Sequence, residues 1–499
     1  MKPLIIRADA SPEIGTGHVM RCLALAEAWQ NTGGEVCFVS ACDAPALEVR
    51  LKNEGIQILH ISQEAGTLGD ADETARIAHE RGADWIVVDG YNFGAEYQKT
   101  IKDAGLSLLF IDDYGHADHY YADIVLNQNI YADGTFYPSY ESYTRFLLGT
   151  KYALIRKEFL IWSGWHRDIP KVARKILVTL GGSDSDNITL NVIEALRILD
   201  FAGLEVKVVI GDANPHFDLI HNKVQDLSNF TLIKNAKNMP ELMAWADVAI
   251  SSGGSTSWEL LFMGVPSLVI PIAKNQDPIV AALQSCSIAQ GINGNLLKNP
   301  KEFAETVFIF LHSWKIRSEF SARMVQYIDG KGPSRIIDAI CDPLITLRKA
   351  ELSDCKRVWS WINDPIVRSV SFSPEPISLE CHKEWFSSAL IDPALVYYIA
   401  VDKDARPFGQ VRFQVESDAA VISVLVDPEY RGRSLGSTLI RYATEQFFKE
   451  TEIVLVKAFI KTGNEVSRKA FAKAGYIEQG LSEYMGQKTN LFIKIRGTK

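Results

Sequence analysis

Asp9-Ala10-Ser11-Pro12-Glu13-Ile14-Gly15-Thr16-Gly17-His18-Val19-Met20-Arg21-Cys22 is the stretch that decides the fold. It follows the apolar run Leu4-Ile5-Ile6, which reads as a buried first strand, and precedes the apolar-periodic segment Val19 to Trp29, which reads as a helix. Gly15 and Gly17 therefore belong to a strand-to-helix turn, and His18 opens the helix. The first amides of a helix lack intrahelical acceptors and carry partial positive charge, so they attract anions. An imidazole at that point can meet a phosphorylated substrate and titrate near neutral pH; taken alone, it serves equally as a capping or packing histidine. A dinucleotide fingerprint would need a third glycine where Met20 stands, which disfavours a nicotinamide enzyme.

Outward from this turn, the same alternation continues to about residue 150. Leu4–Arg7, Val36–Ser40, Ile56–Ile61, Trp85–Val88 and Ser107–Ile111 read as strands, with helices over Ala71–Arg81 and Ala95–Asp103. Such alternation implies a parallel sheet covered on both faces, with ligands beyond the carboxyl ends of its strands. Asp9, His18, Asp89-Gly90-Tyr91, Asp112-Asp113-Tyr114 and Asn127-Gln128-Asn129 all fall at that rim. Each is also an ordinary turn residue; their convergence favours a site.

A second alternating unit begins near Arg174. Strand candidates are Ile176–Leu180, Val206–Ile210, Thr231–Ile233, Val248–Ile250 and Ser267–Ile270. Gly181-Gly182-Ser183-Asp184-Ser185-Asp186-Asn187 precedes a helix over Ile188–Leu199, and a loop of this kind can offer amides to a phosphate or be a plain capped turn. Ser252-Gly253-Gly254-Ser255-Thr256-Ser257-Trp258-Glu259 repeats the pattern. A carboxylate such as Glu259 beside a diphosphate is best explained by a sugar diol, whose two hydroxyls donate to its oxygens. Asn275 and Gln276 end the next strand with amides suited to sugar hydroxyls. Trp314–Tyr327 and Pro333–Ile340 read as closing helices of this unit, and the pattern changes near Cys341-Asp342-Pro343. The expected domains are 1–150, 151–342 and 343–499.

In the third region Leu344–Arg348 opens with a short strand. Ala419–Val426 is a strand leading into Asp427-Pro428-Glu429-Tyr430-Arg431-Gly432-Arg433-Ser434-Leu435-Gly436-Ser437 and a helix to about Phe448. An Arg-Gly-rich turn at a helix start forms a pyrophosphate cradle.

Composition narrows the classes. The chain has 499 residues, too many for one core. Its 47% hydrophobic and 23% charged residues are an ordinary soluble balance, and a net charge of -9 argues against non-specific nucleic-acid binding. No apolar run reaches a membrane span, and Met1-Lys2-Pro3 leads into a strand without signal-peptide anatomy. Seven cysteines, none in a Cys-x-x-Cys pair, read as reduced thiols. The expectation is a cytoplasmic protein acting on small molecules, with no nucleic-acid or membrane partner.

Gly15-x-Gly17-His18 in the first unit, with Gly253-Gly254-Ser255-Thr256-x-Trp258-Glu259-Leu260 and Ala273-x-Asn275-Gln276 in the second, resembles the nucleotide-sugar GT-B architecture. Over about residues 1–340, through Ala8-Asp9-Ala10-Ser11, Gly15-x-Gly17-His18-x-Met20-Arg21-Cys22, Val88-Asp89-x-Tyr91, Asn127-Gln128-Asn129 and Asp329-Gly330-x-Gly332, the chain resembles more closely the UDP-2,4-diacetamido-2,4,6-trideoxy-β-L-altropyranose hydrolases of pseudaminic acid biosynthesis. The likeness to the lipid II-forming N-acetylglucosaminyltransferases is more distant. The resemblance implies hydrolysis of a UDP-sugar with His18 as the base activating water, and no metal. It implies Glu259 on the ribose diol, Gly182, Ser183 and Ser255 along the diphosphate, and backbone near Ala236–Met239, Met239 included, facing uracil. Gly15, Gly17, Arg21, Tyr91, Asn127 and Arg156 would line the remaining UDP-sugar site from one side. Asn187, Gly254, Thr256, Asn275 and Gln276 would line it from the other.

Arg431-x-x-Ser434-x-Gly436 resembles the GNAT acyltransferase signature that binds the CoA pyrophosphate, with Ser434 where the family usually has glycine. Asn464-x-x-Ser467 and Gly475-Tyr476 match that family's pantetheine element. Acetyl-CoA is thus the implied co-substrate, held by Leu425, Val426, Arg431, Arg433, Ser434 and Leu435, then Gly436, Ser437, Asn464 and Ser467. Phe471 occupies the position where the family often carries a tyrosine general acid. Acceptor contacts are open among Asn363, Arg368, Ser371, Phe372, His382 and Trp385, each of which serves equally as a packing or capping residue. The combined expectation is an α/β enzyme, GT-B-like units followed by a GNAT domain, that acetylates a UDP-linked 4-amino sugar and releases UDP from the product. A UDP-sugar glycosyltransferase, or a non-catalytic nucleotide-sugar sensor with a CoA-binding appendage, are the alternatives.

Overall fold

The computed structural model describes every residue except 12–13, 183, 200, 212–213, 343–344, 403–404, 432–434 and 498–499. Two compact units divide the chain, Met1–Ile340 and Cys341–Lys499.

The first unit contains two parallel sheets. Strands β1 (Leu4–Ala8), β2 (Val36–Ser40), β3 (Gln57–His60), β4 (Trp85–Asp89), β5 (Ser107–Ile111), β6 (Ile124–Asn127) and β7 (Arg145–Leu148) lie in the order β3-β2-β1-β4-β5-β6-β7. All neighbours run parallel. The second sheet comprises β8 (Lys175–Thr179), β9 (Glu205–Ile210), β10 (Phe230–Lys234), β11 (Val248–Ser252), β12 (Ser267–Ile270) and β13 (Gln290–Gly291), in the order β10-β9-β8-β11-β12-β13. The central strands of both sheets are buried throughout and mainly apolar, apart from Arg7 and a few serines, as a sheet sandwiched between helices requires. Strand order reverses between β1 and β4 and between β8 and β11, which opens a crevice at the strand carboxyl ends of each sheet.

The helix Gly332–Cys341 departs from expectation. Its Ile336, Ile337 and Ile340 join Leu4, Ile6, Leu23, Leu109 and Leu126 in a core cluster of the first sheet, so the chain crosses back rather than closing the second sheet. Gly332 starts it in tight contact with the 152–153 backbone: an added Cβ would lie 2.1 Å from the Ala153 carbonyl oxygen. The preceding helix Trp314–Met324 does pack with the second sheet through Phe320 and Met324.

The second unit is a seven-stranded sheet of β14 (Thr346–Lys349), β15 (Leu395–Val401), β16 (Pro407–Glu416), β17 (Ala419–Val426), β18 (Leu455–Lys461), β19 (Ile477–Tyr484) and β20 (Gln487–Ile495), ordered β14-β15-β16-β17-β18-β20-β19. Every pairing is antiparallel except β17 with β18, which is parallel and joins only Ala419–Val421 to Leu455–Lys457. Beyond those residues the two strands diverge. Among the described residues no helix is long and apolar enough to cross a membrane.

Candidate functional site

The carboxyl end of β1 leads to the turn before His18. Gly15 sits at φ 79°, in the left-handed region that favours glycine, and its N–H donates to the Ser11 carbonyl at 2.7 Å. The turn is braced from below. Asp9 accepts from the Ala41 amide at 2.7 Å and pairs with Arg7, whose buried guanidinium also holds Asp70 at 2.9 Å. A helix over Gly17–Asn31 follows, and it carries His18, Arg21 and Cys22 on the face turned to the sheet.

Asp89, the last residue of β4, organises the centre. His18 Nδ1 donates to Asp89 Oδ1 at 2.7 Å, while Arg21 donates through Nε to Oδ2 at 2.6 Å and through Nη2 to Oδ1 at 2.7 Å. Arg21 extends the network to Asp113 at the end of β5, at 2.8 Å. Burial raises the cost of charging Asp89, but Arg21 and His18 outweigh it and hold the carboxyl well below its ordinary range. An ionised carboxylate only accepts, so the proton of a neutral imidazole sits on Nδ1 and the lone pair on Nε2. Asp89 thus fixes the tautomer of His18, as a carboxylate does for a catalytic histidine in general. The Tyr91 ring stands edge-on to the imidazole with centroids 4.9 Å apart.

The other wall comes from the second sheet. Ser255 Oγ lies 3.9 Å from where a Cβ on Gly17 would be, and an added Cβ on Gly182 would lie 3.0 Å from Thr16 Oγ1. The turns after β1, β8 and β11 therefore abut. Asn275 reaches across and donates to the Tyr91 phenol at 3.1 Å. Gly254, Ser255 and Thr256 lie at the start of the helix Thr256–Phe262. Met239 opens another helix, its side chain in the core.

Several expected ligand contacts occupy other roles. Asn127 is fully buried, and its amide is taken by the Asp113 carbonyl, the Tyr137 hydroxyl and the Asn129 N–H, so it supports the rim from beneath instead of facing a ligand. Arg21 spends its fork on Asp89 and Asp113. Arg156 pairs with Glu259 at 2.8 Å and with Glu158 at 2.5 Å. Burial pushes the Glu259 carboxyl above its ordinary range, with Arg156 opposing. The Gln276 side-chain Oε1 accepts from the backbone N–H groups of Gly253 and Ile272 at 3.1 Å. Asn187 stands before its helix in a left-handed conformation with Oδ1 buried and unpartnered, and Asp184 caps that helix by accepting from the Ile188 and Thr189 amides. Ser183 lies outside the described residues. Asp89 and Asp113 complete the centre; both follow apolar strand runs, and Asp89 also falls in the Val88-Asp89-x-Tyr91 motif.

In the second unit, Arg431 Nη1 donates to Asp364 at 2.9 Å and Nε to the Val426 carbonyl at 3.2 Å, leaving Nη2 buried without a partner. Its charge is therefore shared with Asp364 rather than standing free. Leu425 and Leu435 are core residues, Gly436 opens onto free space, and Ser437 is buried. Asn464 caps the helix Glu465–Lys473 by accepting from Ser467 N–H at 3.1 Å. Phe471 is buried edge-on to Tyr476, whose hydroxyl is bonded to Thr444. Arg433 and Ser434 lie outside the described residues.

Fold and site define the class: a two-part α/β enzyme, with paired parallel Rossmann-like sheets of GT-B type followed by a GNAT acetyltransferase domain. Residues 175–290 match the glycosyltransferase family 28 C-terminal domain, and residues 345–477 match the acetyltransferase (GNAT) domain. Nearly the whole chain is similar to an uncharacterized protein of Methanocaldococcus jannaschii, 25% identical over 95% of this chain and 96% of that protein. The first unit is similar to the spore coat polysaccharide biosynthesis protein SpsG of Bacillus subtilis, 25% identical over 68% of this chain and 97% of that protein. It is also similar to the UDP-2,4-diacetamido-2,4,6-trideoxy-beta-L-altropyranose hydrolase of Campylobacter jejuni, 26% identical over 55% of this chain and 93% of that protein.

Proposed function

We propose that the chain is a bifunctional enzyme of pseudaminic acid biosynthesis. The first unit hydrolyses UDP-2,4-diacetamido-2,4,6-trideoxy-β-L-altropyranose to UDP and free sugar. The second acetylates the 4-amino group of the UDP-linked precursor with acetyl-CoA. The observation that carries the first assignment is the His18–Asp89 pair, a base with its tautomer set, at the rim where the turns of both sheets meet.

In the hydrolytic step, His18 Nε2 takes a proton from water as the oxygen attacks the anomeric carbon. The C–O bond to the diphosphate breaks, and UDP leaves with the bonding pair. Backbone amides at Gly182 and Gly254 to Thr256 face the departing charge, and electrostatic stabilisation of this kind is a large term in catalysis. Glu259 holds the ribose through the oxygen that Arg156 leaves free. Tyr91 and Asn275 bound the sugar.

In the acetyl step, the amine lone pair attacks the thioester carbonyl. The C–S bond breaks, the nitrogen loses its proton, and CoA leaves as thiolate. Amides of Leu435 to Ser437 hold the pyrophosphate, with Arg431 and Arg433 supporting them. With phenylalanine at 471, the thiolate is protonated through water or another group.

The test is one incubation of the UDP-4-amino sugar with acetyl-CoA in ¹⁸O-water, followed by mass spectrometry. The expected products are acetylated free sugar carrying ¹⁸O and unlabelled UDP. Label in UDP would mean attack at phosphorus and would remove His18 from its role. Release of UDP only when a sugar acceptor is added would identify a transferase instead.

A further inference from the structure

Three cations of the second unit, Arg368, Arg412 and Lys461, lie along one cluster of aromatic rings, and none has a carboxylate partner among the described residues. Register places Tyr397, Arg412 and Ser423 on one face of the sheet, beside the point where β17 and β18 diverge. The Arg412 guanidinium lies 4.9 Å from the Trp385 ring centroid and 5.9 Å from that of Tyr397. Its Nη2 donates to Ser423 Oγ at 3.3 Å, and its Nε is buried without a partner. Lys461, at the end of β18, donates to the Ser371 carbonyl at 2.6 Å and lies 5.8 Å from the Phe372 ring centroid. Arg368 donates to the carbonyls of Ser373 and Glu375 and to Ser371 Oγ, and its Nε is also buried and unpartnered. Tyr484 connects the group: it stacks on Phe459 at 4.2 Å, packs against Phe372 at 5.3 Å, and feels the charge of Arg412.

Carbonyl oxygens and ring faces orient these cations but leave their charge uncompensated. Burial pulls the guanidinium of Arg412 below its usual value, with Tyr397 and Tyr484 opposing, and does the same to Arg368. Arg412 differs from other arginines of the chain: Arg7, Arg21 and Arg156 pair with acids, and Arg167 and Arg317 donate to backbone carbonyls, whereas Arg412 meets only a hydroxyl and ring faces. An anion arriving beside Arg412 and Arg368 would recover the desolvation cost of these unpaired guanidiniums. Arginine suits oxyanions geometrically, since its planar fork donates two parallel hydrogen bonds to phosphate. The aromatic bed suits a base or a sugar face. A polyamine acceptor would meet like charge.

Resting on the reading of this unit as an N-acetyltransferase, we propose that Arg368, Arg412 and Lys461 form its acceptor subsite and take the diphosphate of a nucleotide-linked amino sugar. The three residues then select the acceptor by its phosphate charge, while the sugar and base lie along Trp385, Phe372 and Tyr484.

The test uses the full chain and compares Arg412→Gln and Lys461→Met with wild type. Acetyl transfer is measured to the UDP-4-amino sugar and to the same amino sugar without UDP. Each substitution is expected to raise KM for the UDP-linked acceptor at least ten-fold, leaving KM for acetyl-CoA and transfer to the free amino sugar within about two-fold. Equal loss on both acceptors, or no change on either, would overturn the assignment. If wild type transfers acetyl to no amine, the acetyltransferase reading fails, and the subsite is then judged by calorimetry with UDP. One UDP site more in wild type than in Arg412→Gln would support it, and equal stoichiometry would overturn it.

Discussion

Asn275 Nδ2 donates to the Tyr91 hydroxyl at 3.1 Å across 184 positions of sequence, joining the loop after β12 to the loop after β4. The Tyr91 hydroxyl in turn donates to Asp113 Oδ2 at 2.8 Å. Burial and the Asp113 charge push the phenol far above its ordinary value, so it remains a donor at any working pH. Tyr91→Phe keeps the ring beside His18 and removes both hydrogen bonds. Each is worth about 0.5–1.5 kcal/mol net, more where a charge takes part. The unfolding free energy measured in urea should fall by about 1–3 kcal/mol, and Asn275→Ala should add less on top of Tyr91→Phe than it costs alone. Strict additivity would mean that the bridge does not form in solution.

His18 and Asp89 act as one device. Removing a positioned base costs about 10²–10⁴ in rate, so His18→Ala should lower UDP release by that order. Asp89→Asn should lower it too, because an amide can also donate and no longer fixes the proton on Nδ1. UDP affinity by calorimetry and acetyl transfer by the second unit should survive both changes. Parallel loss of acetyl transfer would point to misfolding instead.

Much of this arrangement was legible in the sequence because parallel strands announce themselves as apolar runs ending in polar turns. That logic placed Asp9, His18, Asp89 and Asp113 on one rim before any coordinate. It could not say which rim residues face a ligand and which face each other. Arg21 meets Asp113 across 92 positions and Arg156 meets Glu259 across 103, and no local pattern records such pairings. Asn127 reads as a site amide yet saturates itself inside the core. The helix Gly332–Cys341 has the same apolar period whichever sheet receives it, so its return to the first sheet was hidden. In the second unit Arg412 and Lys461 lie on separate strands, and only the register brings them to one face.

Arg156 and Glu259 give a test by second-site rescue. Removing one partner of a buried pair costs about 3–5 kcal/mol because the other charge stays behind. Arg156→Ala should therefore be markedly destabilised and bind UDP weakly. Burial already pushes Glu259 upward, and without Arg156 its folded-state value rises further above the unfolded one. A carboxyl shifted in that direction favours the folded state at low pH and loses that contribution as pH rises through the folded value. Arg156→Ala should thus regain stability between pH 7 and 5, and Arg156→Ala/Glu259→Gln should be more stable than Arg156→Ala at pH 7. A double variant no better than the single would separate the two residues.

Asp89 and Asp113 make the opposite prediction. Both are buried, which alone would raise them, yet Arg21 holds both below the ordinary carboxylate range. A carboxyl depressed in the folded state contributes stability that is fully present above its unfolded value, about 3.9, and is lost as pH falls through the depressed one. The first unit should therefore hold its stability from pH 7 to about pH 5 and lose it increasingly below about pH 4. Asp113→Asn should be less stable at pH 7, since Tyr91 and Asn129 lose their carboxylate partner and Arg21 loses one of its two. Its stability should also fall less steeply between pH 4 and pH 2, because one proton-linked group is gone. Urea denaturation at each pH, followed by tryptophan fluorescence, gives both slopes. An unchanged acid slope in Asp113→Asn would show that the Arg21 network does not control acid unfolding, and the depressed state of Asp113 would have to be given up.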